Sequence, residues 1–128
     1  MTESLIEEYG EPPDIRNIEN LLDFYFSTAD SKDFCLEVEK AKAGFVWLIQ
    51  SADVIMSTPF CCILYLAIKK EFRGKGYSKI LMEKAKNYCK ENNIDELRLT
   101  VRYNNTPALS LYKDAGFSTY KHEMSMKL

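Results

Sequence analysis

Apolar residues recur at two different periods along this chain, and each change of period marks a change of element. Ile15, Ile18, Leu22 and Phe26 lie three and four apart behind Glu11-Pro12-Pro13-Asp14, a breaker followed by an N-cap residue, which predicts a helix over about 14–28. Polar, turn-forming residues fill 27–33. Phe34-Cys35-Leu36-Glu37-Val38-Glu39 and Gly44-Phe45-Val46-Trp47-Leu48-Ile49 then read as two strands of a hairpin. Ser51 to Pro59 reads as a loop, and Phe60 to Ile68 is so continuously apolar that it predicts a strand buried on both faces of a sheet.

The period becomes helical again from Ser78 to Asn92, where Leu81, Met82, Ala85, Tyr88 and Cys89 form one stripe and Lys79, Glu83, Lys86 and Lys90 lie outside it. Asn92-Asn93 ends that helix. Leu97, Leu99, Val101 and Tyr103 alternate with Arg98, Thr100 and Arg102 as a half-buried strand would. A short helix over about 106–115 is closed by Gly116, and the tail to Leu128 offers two short strands around a turn near Lys121. Strand, helix, strand, helix, strand in this order predicts an α/β fold, with a right-handed crossover and a central sheet covered by helices.

At 128 residues the chain fits one domain, 1–128, with one core. No segment approaches the roughly 20 apolar residues of a membrane span. The acidic start, Met1-Thr2-Glu3-Ser4-Leu5-Ile6-Glu7-Glu8, does not read as a secretory signal, so a cytoplasmic protein with no membrane association is expected. The net charge of −2 hides a division: residues 1–60 carry 12 acids and 4 bases, residues 61–128 carry 7 acids and 13 bases. A basic half suits a polyphosphate and an acidic half suits an amine. Nucleic acid is not expected, because the bases flank a glycine turn and helix faces without interleaved aromatic residues.

Cys35, Cys61, Cys62 and Cys89 show no C-x-x-C spacing and His122 lies far from them, so no metal site is expected. Cys61 and Cys62 fall inside the apolar strand and read as free thiols, buried or half-buried.

Chemistry concentrates in two motifs. Arg73-Gly74-Lys75-Gly76-Tyr77-Ser78 stands where a strand hands over to a helix, so free backbone N–H groups and the cations Arg73 and Lys75 converge on a point suited to a pyrophosphate. Asn105-x-x-Ala108-x-x-Leu111-Tyr112-x-x-Ala115-Gly116-Phe117 follows and puts a tyrosine on a short helix ended by glycine. An Arg-Gly-x-Gly turn alone is a weak signal, but both motifs, their strands and the intervening helix occur in order. Over about residues 34–128, and most specifically over 60–117, the sequence resembles the GNAT superfamily of acetyl-coenzyme A-dependent N-acetyltransferases.

That resemblance implies a single-domain, mixed central β-sheet flanked by helices, whose two middle strands splay apart to hold coenzyme A. By matching positions, the backbone of Leu66 and Ile68, with Ala67 between them, would hold the pantetheine arm. The turn Arg73, Gly74, Lys75, Gly76, Tyr77, Ser78 would bind pyrophosphate, and Asn105 would contact the pantetheine from the other strand. Tyr112 matches the family's tyrosine near the thioester sulfur, where a phenol with a pKa of roughly 10 is a protonated general acid for the departing thiolate. A core aromatic on the stripe Ala108, Leu111, Tyr112, Ala115 is the structural alternative.

Three departures stand out against the family pattern. Ser78 replaces a small glycine or alanine, and its hydroxyl is suited to capping the helix or reaching a phosphate. Cys62 stands where several members carry a glutamate general base. The stretch between the first helix and the hairpin, where the family builds much of its acceptor site, is short. The amine must still lose a proton before it attacks, and Tyr65, or Glu37 or Glu39 through a water, are the groups that could anchor a water chain. The resulting reading is an enzyme that moves acetyl from acetyl-coenzyme A to a primary amine on a small molecule or a protein N-terminus, with a homodimer left open. The competing reading is a non-catalytic coenzyme A-binding sensor or partner module.

Overall fold

The structure, a computed structural model, describes residues 31–128. The helix expected over 14–28 lies outside the described residues. Four strands form one sheet in the order β1-β2-β3-β4: β1 Ser31–Val38, β2 Ala41–Ala52, β3 Pro59–Ile68 and β4 Leu97–Leu99. Helix α1 (Tyr77–Glu91) connects β3 to β4, and helix α2 (Thr106–Asp114) follows β4. The first three strands run antiparallel and β4 runs parallel to β3, so the sheet is mixed as the α/β reading requires.

β1 and β2 meet through a two-residue turn. Val38 pairs with Ala41, and the residues between them, Glu39 and Lys40, have φ of 51° and 68°. Positive φ at both turn positions gives the primed geometry whose twist matches the flanking strands. Glu39 therefore belongs to the turn, although alternation alone put it in the strand. β2 also extends through Ser51 and Ala52, which pair with Phe60 and Pro59, so the loop is shorter than expected. Asp53 organises that loop: its carboxylate oxygen accepts the N–H groups of Ile55 (3.0 Å) and Met56 (3.1 Å), and its own N–H donates to Thr58 C=O at 2.8 Å.

The core lies between the sheet and α1. Val46, Leu48, Ile63, Leu81, Met82 and Ala85 are buried together, and Phe34, Leu36, Leu66, Ile68, Leu97 and Leu99 pack around them. α1 buries the stripe read from its sequence and ends where Asn93, at φ 58°, allows a left-handed residue. Asn93 N–H donates to Lys90 C=O (3.1 Å) and Ile94 N–H to Cys89 C=O (2.9 Å), the paired closure of a helix whose last carbonyls would otherwise lack donors. A second buried cluster, Cys61, Cys89 and Ile94, grows on that closure.

Two expectations do not hold. β4 stops at Leu99 rather than continuing to Tyr103, where its pairing with β3 ends. The tail beyond Phe117 forms no strand: residues 118–128 are exposed and irregular. A strand needs a neighbour to take its N–H and C=O groups, and among the described residues the tail pairs with none.

The core account predicts that Leu48→Ala, at a site with no exposed surface, lowers unfolding free energy by about 2–5 kcal/mol in urea melts. Ile80→Ala, half exposed on the same helix-bearing face of the molecule, should change it by about 0.5 kcal/mol or less.

Candidate active site

The site begins with one extra residue. Trp47 pairs with Tyr65 and the adjacent Leu48 pairs with Ile63, so Leu64 is a bulge in β3 with no partner of its own on β2. Backbone direction alternates along a strand, and the bulge resets the alternation. On one side of it, Cys61 N–H donates to Glu96 C=O at 3.0 Å, so Cys61 and Ile63 turn their polar groups toward β4. Beyond the bulge, Lys69 N–H donates to Ala43 C=O at 2.7 Å on β2. Counting back by two, Ala67 and Tyr65 also face β2, and Leu66 and Ile68 turn their N–H and C=O groups to the opposite side.

β4 is not there to meet them. The parallel ladder ends with Ile63 paired to Leu99, three residues before Leu66. The outer strand β4 therefore leaves β3 unpaired on that side along Leu66 to Ile68, the stretch where the sequence resemblance implies a splay. Of the three residues expected to line it, Leu66 offers its backbone to the gap. Ile68 C=O already accepts a hydrogen bond from Arg73 Nε at 2.9 Å, and Ala67 directs its backbone to Phe45 on β2 and serves as the spacer.

At the far end of β3 a 3-10 turn, Lys70–Phe72, leads into the glycine segment. Gly74 has φ of 76° and Gly76 has φ of 80°, values that L side chains rarely adopt. Gly76 is the N-cap of α1, no side chain caps that end, and its first turn contains no acidic residue. The orphan N–H groups and the positive end of the helix dipole thus remain available to an anion. A Cβ added at Gly74 or Gly76 would meet nothing within 4 Å, so the space in front of the turn is open. Lys75 Nζ sits 5.9 Å from the Phe72 ring, and Phe72 leans on Tyr77 with ring centroids 6.3 Å apart. Ser78 is inside the first turn of α1 and caps nothing, which corrects the capping role considered for it.

The second motif is a helix with both ends closed. Asn105 Oδ1 accepts the N–H of Ala108 at 3.3 Å as the N-cap, and a proline follows in the first turn. At the other end Gly116, at φ 106°, lets its N–H reach Lys113 C=O (3.0 Å) while Phe117 N–H reaches Tyr112 C=O (2.9 Å). Closures of this type carry a hydrophobic contact between the residues that share the longer bond. Here the Tyr112 and Phe117 rings meet edge-on with centroids 5.9 Å apart. Tyr112 is half-buried at the margin of the core, and Lys86 Nζ donates to Ala115 C=O at 3.1 Å, joining α1 to the end of α2.

Residues 1–117 match the acetyltransferase (GNAT) family model. The chain belongs to the GNAT family. Over 83 residues, 63% of this chain and 50% of the other, it is 43% identical to a Bacillus subtilis (strain 168) protein named as a putative ribosomal protein bS18-alanine N-acetyltransferase. An N-acetyltransferase of Dictyostelium discoideum is 40% identical over 57 residues, 44% of this chain and 26% of that protein. The chain thus spans half or less of the curated relatives it matches. Its fold is that of a putative acetyl transferase from Pyrococcus furiosus, with a TM-score of 0.85 at 23% identity, covering 99% of this chain and 91% of that one. A ribosomal-protein-alanine N-acetyltransferase from Brucella melitensis biovar Abortus 2308 matches with a TM-score of 0.73 at 16% identity, over 99% and 90%.

The remaining candidate groups of this GNAT chain fall into place around β3. Cys61 and Cys89 are buried and Cys62 half-buried, all as free thiols. Burial, then the hydrogen bond with Cys89, pushes the Cys61 thiol up to about 12, and burial also raises Cys62 and Cys89. None is a thiolate at neutral pH, which disfavours a covalent route. Tyr65 stacks on Phe45 at 5.6 Å, and Glu37, Glu39 and His122 are exposed. Among the described residues no cluster of three His, Cys, Asp or Glu is placed to hold a metal ion, and no helix is long and apolar enough to cross a membrane.

One constellation had no signal in the sequence. Arg98 of β4 pairs with Glu96 and, at 3.4 Å, with Asp53 across 45 positions of chain, while its guanidinium lies 4.0 Å from the Phe60 ring and 5.4 Å from the Tyr120 ring. The N–H groups of Met56 and Ile55, with a smaller contribution from Arg98, hold the Asp53 carboxyl below the ordinary carboxylate range. Asp53 is thereby a structural anchor and a weak proton acceptor.

Two outcomes follow for the site. Gly76→Val should fold with native circular dichroism yet bind coenzyme A at least about tenfold more weakly, measured by calorimetric titration, since a branched side chain at positive φ would project into the open mouth of the turn. A maleimide at pH 8 should modify the exposed Cys35 in the native protein and spare Cys61 and Cys89, read by peptide mass spectrometry.

Proposed function

We propose that this GNAT chain transfers the acetyl group of acetyl-coenzyme A to an α-amine, that of a protein or peptide N-terminus. The observation that carries the cofactor half of this reading is the parting of β3 from β4 beside the uncapped start of α1. Leu66 supplies strand hydrogen-bonding groups to an amide-bearing arm, and the N–H groups of Tyr77 and Ser78, with Arg73 and Lys75 nearby, suit a pyrophosphate. Asn105 uses its oxygen as a cap and keeps its amide N–H₂ as the donor for the same arm.

The co-substrate supplies an activated thioester carbonyl. The amine nitrogen bonds to that carbonyl carbon, the C–S bond breaks, and Tyr112 O–H gives its proton to the departing thiolate. Backbone N–H groups of β3 beyond the bulge stabilise the oxygen that carries the charge between the two events. Tyr112 sits on a helix fixed at both ends, so its ring is held while its hydroxyl does the chemistry.

The acceptor half rests on the absence, among the described residues, of a strong base around β3. A lysine side chain, with a pKa of roughly 10.4, is almost wholly protonated at neutral pH, whereas an α-amine at roughly 7.7–8.0 offers a usable neutral fraction without help. Cys62, whose thiol is raised by burial, takes no proton there, so water carries it. The name of the Bacillus subtilis relative points the same way. A coenzyme A-binding module without turnover is the reading this displaces, and release of thiol above hydrolysis with an α-amine peptide separates the two.

Three measurements check the proposal. Acetyl-coenzyme A at 100 times its dissociation constant should stabilise the fold by about 2.7 kcal/mol in thermal melts, and an unmoved melt at millimolar ligand contradicts it. Tyr112→Phe keeps the ring against Phe117, so cofactor affinity should hold while kcat falls about 10²-fold or more. Parental kcat across the pH range would leave Tyr112 a core aromatic only. For a peptide with a blocked lysine, kcat/KM should rise with pH and level near 8, and for the same peptide with a blocked N-terminus it should stay at the background.

A further inference from the structure

Two features fix the far end of β3 from the side of β2. Lys69 N–H donates to Ala43 C=O at 2.7 Å, and Gly44 lets the strands approach so closely that a Cβ there would stand 2.4 Å from the Ala67 carbonyl oxygen and 2.7 Å from Ile68 Cδ1. Ile68 is therefore a firm point of the sheet. By the alternation beyond the bulge its carbonyl turns to the other side, where the ladder with β4 has already ended at Ile63 and Leu99.

A strand acceptor with no neighbouring strand must be met by water, a side chain or a ligand. Here a side chain meets it: Arg73 Nε–H donates to Ile68 C=O at 2.9 Å from five positions along the chain. Between the two residues the 3-10 turn closes through Phe72 N–H to Lys69 C=O (2.9 Å) and Arg73 N–H to Lys70 C=O (3.3 Å), and the chain leaves Arg73 extended at ψ 158°. The side chain of Arg73 thus bonds back to β3 while its main chain carries on into Gly74. The uncapped start of α1 at Gly76 follows directly.

We propose that Arg73 is a positioning residue for coenzyme A, whose Nε–H bond to Ile68 C=O holds the glycine turn at a fixed distance from the Leu66 backbone. This rests on the proposed function, in which one ligand spans both places. A ligand that bridges two sites gains from a preset separation, because the second contact then forms without first ordering the protein. The bond also fills the acceptor two residues beyond Leu66, a position that repeats the same orientation along a strand. With it filled, the amide-bearing arm meets a single register. The feature that matters is a donor hydrogen on the fourth side-chain atom of residue 73, and the positive charge is secondary.

Two substitutions separate the bond from the charge. Arg73→Gln places an uncharged N–H₂ at that fourth atom, whereas Arg73→Lys keeps the charge and puts a methylene there. In calorimetric titration of the whole chain with coenzyme A, Arg73→Gln should bind within about threefold of the parent and Arg73→Lys about tenfold or more weakly. Both should keep native circular dichroism, since the bond lies at the surface. Inorganic pyrophosphate, which reaches the turn alone, should bind Arg73→Lys as it binds the parent. In the ligand-free parent, the Arg73 Nε–H proton should exchange slowly with water. The reverse order, with Arg73→Lys near parental and Arg73→Gln weakened, would make Arg73 a charge for the phosphates and overturn the proposal. Equal losses in both variants, no loss in either, or fast exchange of the Nε–H proton would overturn it too. A parent that takes no coenzyme A fails at the proposed function and carries the positioning role down with it. A parent that binds while the variants rank otherwise removes the positioning role alone.

Discussion

The parallel ladder between β3 and β4 ends after three pairs, and the site proposed for coenzyme A in this GNAT chain depends on where it ends. A ladder that continued would consume the backbone of Leu66 and Ile68, and the sheet would have no opening. The Leu64 bulge prevents that. It moves the outward-facing backbone from odd to even positions and keeps Leu66 and Ile68 packed by their side chains against the core that α1 shares with the sheet. The same residues thus hold the core with one part and face the gap with another. The gap opens toward the start of α1, where two glycines at positive φ deliver a helix end with no side-chain cap.

The tyrosine motif illustrates how one set of letters serves two purposes. Asn105 and Gly116 close the ends of α2, and the Tyr112–Phe117 contact completes the second closure. These features account for the helix without reference to chemistry. They also fix the Tyr112 ring in place, as the proton-donor role proposed for it would require. Stability and positioning are therefore served by the same contacts, and only the phenolic oxygen separates them.

Local patterns were readable where the cause was local. The helical stripe of α1, its asparagine stop, the hairpin, the apolar β3 and the glycine turn all follow from spacing and from residues that tolerate positive φ. The Leu64 bulge was hidden because it adds one more apolar residue to an apolar run. The early end of β4 was hidden as well, since Val101 and Tyr103 keep alternating after the partner strand has gone. Asp53 and Arg98 meet across 45 positions, a distance no short pattern spans. The tail failed in the opposite sense: its alternation is real, but a period of two states only that a strand would fit, not that an edge is present. Where Ala67 was grouped with Leu66 and Ile68 by resemblance, the hydrogen-bond alternation now assigns it to β2.

The central claim is that the backbone beyond the bulge and the open start of α1 together receive one extended, anionic ligand. Amide resonances of the protein, followed as coenzyme A is added, test it most directly. The Leu66, Tyr77 and Ser78 amides should shift together with one saturating affinity, while the amides of Ala67 and Leu48, which belong to the paired interior of the sheet, move little. Shifts confined to α1, with Leu66 unmoved at saturation, would contradict it, because the strands would then part for some purpose other than holding the ligand.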